Sequence, residues 1–67
     1  MKDGMERINQ LIEEYDFPVS ALQDIRQRLS DWFVSGGKPT DSYVWQQVNY
    51  LENLVKYDLA ERTVINQ

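Results

Sequence analysis

Apolar residues at the start of the chain recur with the three-to-four-residue spacing of an α-helix. The residues on this face are Met5, Ile8, Leu11, Ile12 and Tyr15. Asp3 and Glu6 lie near the start of the pattern, where the helix dipole favours negative charge. The pattern predicts a first helix over about residues 3–15.

The start of a second helix is indicated by a proline. Pro18 disfavours a helical conformation at Phe17 but suits the first turn of a helix that follows it. Ser20 and Gln23 also fit a capping box, in which each side chain bonds a free N–H group at the helix start. The two signals place the start between residues 17 and 21.

The second helix carries a narrow apolar stripe and ends at two glycines. The stripe consists of Leu22, Ile25, Leu29, Trp32 and Phe33. Gly36 and Gly37 predict the end, because glycine accepts the left-handed conformation that closes helices. We therefore expect this helix over about residues 18–35, with Trp32 in the core.

The third helix is predicted to be apolar over a wider arc than the other two. One stripe consists of Val44, Val48, Leu51, Val55 and Leu59, and a second of Tyr43, Tyr50, Leu54 and Tyr57. Together they cover roughly 200° of the helical circumference, against about 100° for the second helix. Thr40, Asp41 and Ser42 are all suitable N-caps, so we expect this helix over about residues 41–61.

Two arrangements can bury so wide an apolar arc. In a monomer the third helix is central and packs against both other helices, whereas in an oligomer part of the arc faces another chain. The sequence shows no internal repeat and no alternation typical of strands. We predict an all-α fold, either a compact three-helix bundle or a helical hairpin with an added N-terminal helix, in one domain over residues 1–67.

The small size of the chain favours self-association, because a domain near this size buries only about 60% of its unfolded surface. Aromatic side chains are common anchors at protein interfaces. We expect a dimer or partner interface on the third helix, formed by Tyr43, Trp45, Tyr50, Leu54 and Tyr57. Trp45, at the edge of the apolar arc, is the residue that we most expect to protrude. The alternative for the tyrosines is that they cover the first or second helix.

Composition argues against catalysis and metal binding. The chain has no histidine and no cysteine, which excludes Cys/His zinc sites and nucleophiles activated by histidine. Asp24, Asp31 and Glu52 could act as general acids or bases only if two of them met in a cleft. An acidic cluster lacks the spacing and glycine of a calcium loop; it consists of Glu13, Glu14 and Asp16. We predict a protein that is not an enzyme and has no cofactor or metal.

Charge argues against nucleic-acid binding. Seven Lys and Arg against 11 Asp and Glu give a net charge of −4, which opposes contact with a phosphate backbone. The basic grouping of Arg26, Arg28 and Lys38 is nearly cancelled by neighbouring acids. Acids that precede bases by four positions are expected to pair along helix surfaces. These pairs are Asp24–Arg28, Glu52–Lys56 and Asp58–Arg62.

A membrane span and a secretion signal are not expected. The longest apolar run is Trp32–Val34, far shorter than the roughly 20 residues of a membrane-spanning helix. The first residues are too polar for a signal peptide. The absence of cysteine also fits a cytoplasmic location, which we expect.

Several short motifs resemble a known family. They are Tyr15-x-Phe17-Pro18, Leu22-Gln23-Asp24-Ile25, Asp31-Trp32, Ser35-Gly36-Gly37 and Gln47-x-x-Tyr50-Leu51-Glu52-Asn53. Over about residues 11–55 the chain resembles a family of short uncharacterised proteins from Gram-positive bacteria and their prophages. The resemblance implies a cytoplasmic bacterial or phage-derived setting and assigns no functional residue.

These observations favour a small protein-interaction module that binds a second copy of itself, an unidentified protein, or both. The alternative is an acidic inhibitor of a nucleic-acid-processing enzyme, of the kind that a prophage encodes. Its carboxylates would then take the place of phosphates. A carboxylate-rich face would favour the inhibitor, and evenly paired charges would count against it.

Overall fold

The computed structural model describes residues 3–62, which form three α-helices and one short two-stranded sheet. In chain order the elements are α1 (Gly4–Glu14), β1 (Tyr15–Asp16), α2 (Val19–Val34), α3 (Ser42–Lys56) and β2 (Glu61–Arg62). The helices contain most of the described residues and share one apolar core. The predicted all-α fold is therefore confirmed, although the sheet was not foreseen.

α1 begins as the sequence pattern predicts. Asp3 has an extended backbone, and its carboxylate accepts a hydrogen bond of 2.8 Å from the N–H of Met5. This bond satisfies one of the N–H groups that a helix start leaves unpaired. At the other end the chain becomes extended at Tyr15, so α1 stops at Glu14.

α2 begins directly after the proline. Pro18 is the N-cap residue, and its carbonyl accepts hydrogen bonds from the N–H groups of Ala21 and Leu22. No side chain caps this end of the helix. The predicted capping box of Ser20 and Gln23 is wrong, because the backbone is already helical when the chain reaches Ser20.

The predicted glycine stop after α2 is confirmed. Gly36 has a φ of 102°, in the region that favours glycine. Its N–H donates to the carbonyl of Phe33, and the N–H of Gly37 donates to the carbonyl of Trp32. These two bonds form a Schellman motif, which satisfies carbonyls left free at the helix end. Gly37 also lies directly against the Trp32 indole, where a Cβ atom would overlap the ring.

α3 ends at Lys56, so the predicted extent of 41–61 is wrong at its C-terminal end. The reason is a second Schellman motif, centred on Asp58 with a φ of 60°. The N–H of Asp58 donates to the carbonyl of Val55, and the N–H of Leu59 donates to the carbonyl of Leu54 at 2.7 Å. A left-handed residue reverses the chain direction, and the helix cannot continue.

The turn after α3 leads into the short sheet. β2 pairs antiparallel with β1, with Tyr15 opposite Arg62 and Asp16 opposite Glu61. The Arg62 guanidinium lies 5.8 Å from the centre of the Tyr15 ring, within cation–π range. Ala60, just before β2, is buried in the core. The sheet therefore ties the segment after α3 to the end of α1.

The core lies where α3 passes between the other two helices. Its buried apolar residues are Ile8, Leu11, Phe17, Ile25, Leu29, Val44, Val48, Leu51 and Ala60. α1 packs closely against α3, since a Cβ at Gly4 would come within 2.7 Å of a Val44 methyl group. α3 is thus the central helix, and its wide apolar arc is divided between α1 and α2.

α2 meets α3 through larger side chains. The rings of Trp32 and Tyr43 stack with their centres 4.7 Å apart. One turn of α2 earlier, Arg28 donates a hydrogen bond of 3.3 Å to the buried side chain of Gln47. These long side chains hold α2 further from α3 than the small residues hold α1.

Candidate functional site

An open apolar groove of about 370 Å³ runs between α1 and α2. It is lined by Met5, Ile8, Asn9, Ile12, Leu22, Ile25, Arg26, Leu29, Ser30 and Phe33. Ile8, Ile25 and Leu29 form its floor and are buried. Ile12 is 41% exposed, so the groove presents apolar surface to solvent.

The groove exists because the apolar faces of α1 and α2 are wider than α3 can cover. Adjacent Leu11 and Ile12 lie about 100° apart on α1, and only Leu11 is buried. On α2, Ile25 and Leu29 enter the core, whereas Leu22 and Phe33 are only half-buried beside them. The uncovered flanks of the two helices face each other across the groove.

The polar groups of the groove lie at its rim. Asn9 comes from α1, and Arg26 and Ser30 come from successive turns of α2. Within residues 3–62 the side chain of Arg26 has no ion-pair, hydrogen-bond or aromatic partner, whereas the side chains of Arg7 and Arg28 both have partners. The groove therefore combines an apolar floor with a positive charge that no other residue of the described range pairs.

A smaller, flatter cavity of about 260 Å³ lies on the opposite side of α1. Its main polar feature is an ion pair between α1 and α3, in which the Nη2 and Nε atoms of Arg7 lie 2.9 and 3.1 Å from Oε2 of Glu52. Leu11, Tyr15 and Val55 supply apolar walls. Because its charges are already paired, this cavity is a weaker candidate for binding.

None of the helix-surface ion pairs predicted from spacing forms among residues 3–62, and Glu52 and the basic members of these pairs make other contacts. Glu52 pairs with Arg7 on α1, and Lys56 lies 5.6 Å from the ring centre of Tyr57. Arg28 bonds Gln47 and lies 5.9 Å from the Tyr50 ring centre. The third predicted pair, Asp58–Arg62, is wrong because Asp58 lies beyond the end of α3.

The predicted interface residues of α3 do not form one exposed surface. Tyr43 stacks on Trp32, while Trp45 and Leu54 are half-buried against the core. The expectation that Trp45 protrudes is therefore wrong, because its ring at the edge of the apolar arc still packs on the core. Tyr50 and Tyr57 are 36% and 65% exposed.

The carboxylates considered for catalysis do not meet in a cleft. Asp24 and Asp31 do not line the groove, and Glu52 is held by Arg7 in the other cavity. Across residues 3–62 no three acidic side chains are grouped so that they could hold a metal ion. No helix in the same range is long and apolar enough to cross a membrane.

Sequence reasoning missed the groove because it treated the apolar stripes of α1 and α2 only as the faces that pack against the third helix. The available signal was the width of the α1 stripe, where Leu11 and Ile12 stand side by side. A helix with a single packing partner needs a narrower stripe. The still wider arc of α3, by contrast, is mostly covered because α3 has two partners.

Comparison with known proteins identifies the chain at the level of a family. A family model described as a family of unknown function, DUF6877, matches residues 5–56. The match includes every residue that lines the groove and stops before β2. No curated protein and no solved structure shows significant similarity to the chain. The chain therefore belongs to DUF6877, a family of unknown function.

Proposed function

We propose that this chain is a non-enzymatic protein-interaction module whose binding surface is the groove between α1 and α2. The observation that carries the proposal is the exposed apolar lining of this groove. Such surface on a small domain is costly in water and is typical of interaction sites. The resemblance seen in the sequence adds an expected setting, the cytoplasm of a Gram-positive bacterium that carries the gene in its genome or in a prophage.

The shape of the groove fits a helix better than a small molecule. Its lining extends over Met5–Ile12 of α1 and Leu22–Phe33 of α2. At 1.5 Å per residue these two stretches are roughly 10 and 16 Å long. A groove of that length accommodates roughly two to three turns of a helix from a bound partner, at 5.4 Å per turn. Amphipathic helices bind such grooves through apolar side chains on successive turns.

The inhibitor alternative receives less support. It requires carboxylates grouped on one face without neighbouring bases. Glu52 is paired with Arg7, and Arg62 lies beside the acids of the short sheet. Asp16 and Glu61 do face each other there, an acidic juxtaposition that favours this function.

Site-specific photocrosslinking tests the proposed function and can capture a partner of any identity. A photoreactive phenylalanine derivative replaces Ile12 in the groove, and in a matched control it replaces Val34, which is 86% exposed at the end of α2. Both proteins are expressed in a Gram-positive host and irradiated, and circular dichroism first confirms that their helix content equals that of the wild type.

We expect protein adducts from position 12 and none of the same mass from position 34. The mass of the adduct shows whether the bound protein is a second copy or another chain. Failure to form any adduct at position 12, or equal labelling at both positions, would contradict the proposed function.

A further inference from the structure

We infer that the occupant of the groove is a second copy of this chain, bound around a two-fold axis that runs along the groove. This inference rests on the proposed function and specifies its partner. Two features support it: the distribution of charge around the groove and the positions of the apolar residues on its two walls.

The two walls of the groove carry opposite charge. Arg26 lines the α2 wall and has no partner among residues 3–62. On α1, an exposed glutamate directly follows each of two groove residues: Glu6 follows Met5, and Glu13 follows Ile12. Each glutamate therefore lies about 100° around α1 from the groove residue before it, on the side of α1 that faces away from α2. A partner with the reverse charge arrangement would match this surface.

The same chain supplies that reverse arrangement. A two-fold axis along the groove places α1 of each copy over α2 of the other, so the acidic rim of one meets Arg26 of the other. The alternative axis, across the groove, would place α1 on α1 and bring like charges together. Charge therefore selects the first arrangement, which is isologous and closed.

This arrangement also matches the apolar residues. The short segment 15–18 places the end of α1 beside the start of α2, and both helices line the groove along their length. Ile12 and Leu22 therefore lie at similar heights near the connection, and Met5 and Phe33 near the open end. In the dimer Ile12 of each copy faces Leu22 of the other. The two α1–α2 pairs then form a four-helix core, with each α3 on the outside.

A charge-swap experiment tests this geometry directly. One variant carries Arg26→Glu and the other Glu6→Lys, both at exposed positions, with helix content and thermal midpoint measured as folding controls. In a dimer of either variant alone, like charges face each other at both symmetry-related contacts between the α1 rim and position 26. We expect each to raise the dimer dissociation constant about 10- to 100-fold, since rim charges act twice in a symmetric interface.

Mixing the two variants restores opposite charges at both contacts. We expect a heterodimer with near wild-type affinity, identified by native mass spectrometry after isotope labelling of one chain. A wild-type chain that stays monomeric, variants that dimerise as well as the wild type, or a mixture without heterodimer would each overturn the inference. The proposed function would survive those results if crosslinking at position 12 captured a different protein.

Discussion

At the residue scale, one backbone conformation decides where α3 ends. Asp58 has a φ of 60°, which residues other than glycine seldom adopt. Aspartate is one of the exceptions, because its short polar side chain can bond locally. The sequence did not reveal this stop. Apolar spacing continues through Leu59, and aspartate is a weaker helix-end signal than glycine.

Replacing Asp58 with glycine is expected to stabilise the protein. Glycine removes the cost of the left-handed conformation, about 1–2 kcal/mol. Part of this gain is offset because a glycine loses more conformational freedom on folding than an aspartate does. We expect a net gain of about 0.5–1 kcal/mol in the free energy of unfolding, measured by urea denaturation.

Asp24→Gly is the matched control for this change. Asp24 is exposed within α2, where glycine is less favourable than aspartate by about 0.3 kcal/mol. The two variants should therefore shift stability in opposite directions. Equal destabilisation by both would show that Asp58 does not adopt the left-handed conformation in solution.

At the element scale, periodicity predicted the positions of the helices, but not the contacts between them. The starts and ends of α1 and α2 followed from Asp3, Pro18 and Gly36, which act locally. The ion pair between Arg7 and Glu52 joins residues far apart in sequence, so no spacing rule could identify it. The two-residue strands are too short to produce an alternating pattern.

The close contact between α1 and α3 depends on the absence of a side chain at Gly4. A Cβ there would overlap a methyl group of Val44, which is fully buried. We expect Gly4→Ala to lower the free energy of unfolding by about 1–3 kcal/mol, as overpacking does, although alanine favours helices.

A double-mutant cycle separates this steric effect from other causes. Val44→Ala removes the clashing methyl group, so adding Gly4→Ala to it should cost much less than Gly4→Ala alone. The coupling between the two sites is expected to be about 0.5–3 kcal/mol, from urea denaturation of the four proteins. Additive costs would contradict the close packing at Gly4.

At the scale of the whole molecule, the arrangement of helices around α3 creates the groove. The wide arc of α3 suggested an interface on that helix, but α1 and α2 cover most of it. Covering α3 leaves the outer flanks of those two helices exposed, including Ile12. Sequence periodicity identifies apolar residues, but it does not show which part of a stripe remains uncovered once three helices have packed.

The central claim is that the groove is the surface through which the chain binds protein, including a second copy. The most direct test is the solution mass by light scattering over a concentration series, for the wild type, Ile12→Lys and Val34→Lys. Both substitutions lie near a helix C-terminus, where lysine is favourable. Ile12 lines the groove and Val34 does not.

We predict that the wild type and Val34→Lys approach twice the 8.0 kDa mass of the chain at high concentration. Ile12→Lys should remain at the single-chain mass with unchanged helix content, because burying an unpaired lysine ammonium in the dimer is costly. A dimer that persists in Ile12→Lys would place the interface elsewhere. A monomeric wild type at every concentration would contradict self-association through the groove.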